Sequence, residues 1–65
     1  NFFGPTLAGN FFWIAGTDGY LRKFNPANGK QILQYSLGSA ALYRPFAVHN
    51  RIFIVTKSGK IIAFI

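Results

Sequence analysis

Acid–base or metal chemistry in this chain has very few side chains to run through. Asp18 is the only carboxylate side chain, His49 the only imidazole, and neither cysteine nor glutamate occurs. A Ser-His-Asp triad can be spelled from Ser36, Ser39 or Ser58 with His49 and Asp18. A triad is defined by geometry, though, and three residue types scattered along a chain do not supply one. Asp18 precedes Gly19, and Asp-Gly is a dipeptide that tight hairpin turns select, so a turn role accounts for it. His49 precedes Asn50 with no second His, Cys or carboxylate near it in sequence; it reads as a solvated turn residue, not a metal ligand or proton carrier. Trp13 could stack on a quinone or a base, but its counterpart further along is Phe53, which a core position explains better. No catalytic residue, cofactor or metal site is expected.

Charge offers a different kind of chemistry. Arg22, Lys23, Lys30, Arg44, Arg51, Lys57 and Lys60 face Asp18 alone, for a net charge of +6. Such a balance attracts nucleic acid, anionic lipid or an acidic partner. There is no dense basic run and no nucleic-acid motif, and Lys30, Lys57 and Lys60 flank turns, where charge solvates the chain. Nucleic acid is therefore not the expected partner, and a basic module of a nucleoprotein assembly ranks as an alternative. The apolar runs are strand-length and broken by charge, so no membrane span is expected, and no signal-peptide pattern is present. Absence of cysteine fits almost any compartment.

The elements that carry these residues repeat. Pro5, Asn10, Ile14, Gly19 and Phe24 recur 40 residues on as Pro45, Asn50, Ile54, Gly59 and Phe64, and between them Phe3 answers to Tyr43, Ala8 to Val48, Trp13 to Phe53 and Leu21 to Ile61. Strands are expected over residues 5–8, 11–16, 20–24 and 30–37, with turns at 17–19 and 25–29. Residues 11–16 are nearly all apolar, as in a strand covered on both faces. Residues 30–37 alternate, with Leu33, Tyr35 and Leu37 on one face, which suits an outer strand. After a small-residue crossover at 38–42, strands are expected at 44–48, 51–56 and 60–65. Gly38, the serines and the alternation argue against a helix over 31–43, and almost no helix is expected anywhere.

A period near 40 residues built from short apolar strands and Gly turns points to a β-propeller blade. The fold class is thus all-β, about one and a half four-stranded antiparallel blades: residues 3–42 as the first, residues 43–65 as the second without its fourth strand. A chain of 65 residues with no disulfide is short for a self-sufficient core. It is expected to be a piece of a larger ring, or a subunit that completes its fold by assembly with further blades.

The stretch from Asn10 to Lys30 resembles the pyrroloquinoline-quinone (PQQ)-like, or quinoprotein-type, propeller repeat: apolar strand, Asp-Gly, apolar strand, then Ala-x-Asp-x-x-Thr-Gly-Lys-x-x-Trp. Lys23 stands for the motif's Ala, Asn25 for its Asp and Asn28 for its Thr, while Gly29 and Lys30 match and Leu33 replaces the docking Trp. The second copy, Arg44 to Phe64, matches the opening half, including the Ala63 position. Relaxed motifs of this kind are commoner in non-enzymatic members. The resemblance therefore implies a periplasmic or cell-envelope scaffold for protein–protein interaction, by analogy with the propellers of outer-membrane protein assembly. The alternative it implies is a blade of a PQQ-dependent dehydrogenase, whose calcium ligands and Asp base would lie elsewhere. Contact with a protein partner is expected at Phe2, Phe3, Arg44, Lys57 and Lys60, and at the edge of the last strand.

Overall fold

The computed structural model describes residues 1–64 of the chain. Seven strands make two antiparallel sheets. The first has the order β1 (Phe2–Ala8), β2 (Phe11–Gly16), β3 (Tyr20–Phe24), β4 (Gln31–Ser36), and the second β5 (Phe46–Val48), β6 (Arg51–Val55), β7 (Ile61–Phe64). Among the described residues there is no helix, and so none long and apolar enough to cross a membrane.

The turns show why the chain reverses where it does. Gly9 and Asn10 have φ of 59° and 65°, and His49 and Asn50 have 51° and 63°. Positive φ at both central residues makes a two-residue hairpin whose twist matches that of its strands. Gly19 and Gly59 share a φ of 86°, and their N–H groups donate to the carbonyls of Gly16 and Thr56 at 3.1 and 3.0 Å. The sequence repeat is therefore a repeat of backbone geometry. In the longer turn between β3 and β4, the Asn25 side-chain oxygen accepts from the Ala27 N–H at 2.9 Å, and Gly29 donates to the Asn25 carbonyl at 2.8 Å.

Several strand ends differ from expectation. β1 starts at Phe2, not Pro5, because Gly4 (φ 123°) and a shift in register between Phe3 and Thr6 absorb the proline inside the strand. Bulges are where a strand tolerates a residue without an N–H. β5 starts at Phe46, and Arg44 and Pro45 precede it as irregular chain. Lys30 and Leu37 drop out of β4 because each serves a turn: the Lys30 carbonyl accepts from Asn25, and the Leu37 N–H donates to Gly19. Thr56 leaves β6 to form an isolated bridge with Ala41. The expected last strand is found at Ile61–Phe64; residue 65 lies outside the described residues. On β4, Tyr35 is half-buried, but Leu33, at the outer edge, remains 41% exposed.

The crossover between the sheets is stitched down over its length. Ala41 donates to the Gly16 carbonyl, Leu42 to that of Val55, and Lys57 to that of Ala40. It thereby links the ends of β2 and β6. At the other side β1 and β5 lie together, with the Thr6 hydroxyl donating to the Pro45 carbonyl at 2.6 Å and Arg44 Nη2 to that of Pro5 at 3.4 Å.

The core lies between the sheets. Trp13, Ala15 and Leu21 from the first bury against Ile52 and Ile54 of the second, each at most 4% exposed. Phe64 packs its ring 4.6 Å from Tyr35 and 6.4 Å from Trp13. The indole N–H of Trp13 donates to the Ala8 carbonyl at 3.1 Å, so its one polar atom is satisfied. Thr56, the one buried polar side chain among the described residues, shares a hydrogen bond of 2.9 Å with Ser58.

Candidate contact surfaces

The side chains that could do chemistry are held apart. Asp18 lies in the β2–β3 turn, where its Oδ1 accepts from the Tyr20 N–H at 3.3 Å and its Oδ2 pairs with Arg22 Nη2 at 2.6 Å. This Asx-type turn ties the carboxylate to its own hairpin. Ser36 and Ser39 border the same hollow as Asp18, a space of about 220 Å³. His49 sits in the β5–β6 turn, whereas the link from Ala41 to Gly16 and Thr56 places the Asp18 turn at the opposite end of the strands. The triad that can be spelled in sequence is therefore not assembled. No group of three His, Cys, Asp or Glu side chains comes together among the described residues.

The hydrogen bond from Arg22 holds the Asp18 carboxyl below its ordinary value of 3.8 and raises Arg22 in turn. A carboxylate with a depressed pKa in the folded state stabilises that state above its unfolded pKa, and the benefit fades as pH falls through the folded value. Thermal melts are expected to be flat from neutral pH down to about 4 and to fall below that, with a small amplitude because the pair is exposed. In Asp18→Asn the acid limb should flatten.

The five expected contact residues fall in separate places. Phe2 is 67% exposed on the outer face of the first sheet, where the Arg22 guanidinium lies 5.2 Å from its ring centroid. Phe3 points the other way and packs, half-buried, against the core. Arg44 is exposed beside β1, and Lys57 and Lys60 are exposed in the β6–β7 turn.

Two larger surfaces extend beyond the five residues expected from sequence. The outer face of the first sheet presents Leu7, Phe12, Ile14 and Phe24, with an apolar depression of about 190 Å³ between Phe2, Ile14, Arg22 and Phe24. The outer face of the second presents Phe46, Val48, Phe53, Val55 and Ile61, with Arg51 across from Val48 at one end. Phe46 and Phe53 stack there with centroids 5.5 Å apart, and Ile61 is 70% exposed. Exposed apolar area of this continuity marks a contact surface. The signal was present in the apolar runs Phe11–Gly16 of β2 and residues 52–55 of β6, which put apolar side chains on both faces of each strand.

Comparison with protein-family models, with curated proteins and with solved structures finds no match to this chain.

Proposed function

We propose that the two sheets are consecutive blades of a β-propeller of the quinoprotein-like kind, acting as a non-enzymatic scaffold that binds a protein partner. The observation that carries this reading is that the central strand of each sheet, β2 and β6, turns apolar side chains to both faces, as blades stacked around a ring require. The side-by-side placement of β1 and β5 and the outer-to-inner path of the crossover agree with it. The resemblance alone supplies the cell envelope as compartment and outer-membrane protein assembly as setting.

Partner binding would use the free edge of β7. Thr56 N–H donates to the Lys60 carbonyl, and bonded and non-bonded pairs alternate along an antiparallel ladder. Ile61 and Ala63 therefore turn their N–H and C=O outward, where Leu21 and Lys23 of the first sheet pair with Tyr35 and Leu33 of β4. An extended segment added there gains main-chain hydrogen bonds as affinity and side-chain pockets as specificity.

A synthetic peptide with the sequence of residues 30–37 tests this. It is expected to shift the amide resonances of Ile61 and Ala63 saturably, and Ala63→Pro should abolish the effect while the hairpin persists, since proline is tolerated where the N–H faces outward. No shift, or an equal shift with a scrambled peptide, overturns the strand-addition role. Saturable binding of calcium-loaded PQQ would instead favour the dehydrogenase reading.

A further inference from the structure

The internal interface between the sheets is made of two unlike faces. The first sheet contributes Trp13, Ala15 and Leu21; the second contributes Ile52, Ile54 and Phe64. Moving each set by the 40-residue repeat gives the two outer surfaces. Trp13, Ala15 and Leu21 become Phe53, Val55 and Ile61 on the outer face of the second sheet, and Ile52, Ile54 and Phe64 become Phe12, Ile14 and Phe24 on that of the first. The chain thus ends, on opposite sides, in the two complementary halves of a contact it already makes once inside itself.

We propose that a second copy of this chain docks head-to-tail, its Phe12-Ile14-Phe24 face covering the Phe53-Val55-Ile61 face of the first. Such a contact is heterologous: it leaves one face of each kind open at the ends and propagates until it closes a ring or grows as a filament. The apolar character of the internal contact is kept at every one of the six positions. Beyond those six the contact is not repeated in full. Tyr35 and Leu37 belong to the fourth-strand segment, which the three-stranded second sheet lacks, and Arg51 joins Phe53 and Val55 on their face. Ile62 of the inner contact answers to Arg22. Arg22 is paired with Asp18 at 2.6 Å, with its side chain only 18% exposed, so it brings no unpaired cation to the docking face. The inference deepens the propeller reading by naming a partner, but its geometry rests on the sheets alone.

Two variants, each blocking one face, test it by light scattering. Ile61→Asp places a charge on a side chain that is 70% exposed. Ile14→Glu places one directly across the ladder from Arg22, which can pair with it. The unaltered chain is expected to gain mass with concentration in steps of one chain. Either variant alone should remain at single-chain mass. Their equimolar mixture should form a two-chain particle and stop there, because only one good face of each kind remains. Circular dichroism confirms folding, and Phe24→Ser replaces Ile14→Glu if the latter unfolds. A monomer at every concentration overturns the proposal, as does self-association of either variant alone. Steps that grow without reaching a fixed mass would keep the docking and remove the closed ring. A monomer that still binds the peptide at β7 would keep the scaffold and remove the docking.

Discussion

Trp13→Ala is expected to leave the chain largely unfolded at room temperature, while Trp13→Phe folds with a modest loss. The indole is 4% exposed within the core the two sheets share. Truncating a buried Trp costs about 3–5 kcal/mol, because the transfer term and the residual cavity add. Stabilities run near 0.05–0.15 kcal/mol per residue, so a chain of 65 residues has little beyond that loss. Phenylalanine keeps the aromatic contact with Phe64 and is the residue found at the equivalent position, Phe53. It forfeits the hydrogen bond to Ala8, at about 1 kcal/mol. Urea titrations followed by far-ultraviolet dichroism separate the two outcomes. If Trp13→Ala were as stable as Trp13→Phe, the indole would not be a core residue.

The second large effect separates neighbouring positions. Ile54→Ala is expected to cost about 2–4 kcal/mol, within the range for deleting a buried aliphatic branch. Val55→Ala should cost about 1 kcal/mol or less in dilute solution, since a half-buried side chain recovers less on burial. Ile54 is 0% exposed between the sheets, and Val55 faces outward from the second. The contrast should narrow as concentration rises, because head-to-tail association buries Val55 as well. Denaturation of both variants at two protein concentrations reads the difference. Equal costs in dilute solution would mean that the second sheet has no preferred inner face.

Much of this architecture was legible because its determinants are local. Gly19, Asn50 and Gly59 stand where the backbone takes positive φ, and the turn chemistry around them located three hairpins; Asn10, also at positive φ, repeats the geometry of Asn50. β2 and β3 match their expected limits, since Asp-Gly and Asn-Pro turns bound them. β1 and β5 were misjudged for a tertiary reason. Pro5 is accommodated by a bulge that only the pairing partner β2 reveals, and the start of β5 is set by how Pro45 meets Thr6. Leu33 shows the same limit: alternation places it on the inner face, but whether anything covers it depends on the neighbouring sheet.

Surface residues were harder to choose from sequence, because charge and an aromatic ring announce themselves without saying which way they point. Phe2 and Phe3 are adjacent and lie on opposite faces, so both cannot serve one contact. The apolar residues of β6 and β7 look like ordinary core until the packing shows that Ile52 and Ile54 are buried, Val55 only half-buried and Ile61 exposed. Only with the inner face identified does the 40-residue repeat acquire a direction.

The most direct measurement is the set of side-chain nuclear Overhauser contacts made by Phe64. Its ring protons should show cross-peaks to Tyr35, whose ring centroid is 4.6 Å away, and weaker ones to the Trp13 indole at 6.4 Å. Those cross-peaks join β7 to β4 and β2 and arise only if the second sheet stacks its isoleucine face on the first. Cross-peaks confined to β6, with Phe53 and Val55 touching Trp13 instead, would contradict the stacking and the face correspondence built on it.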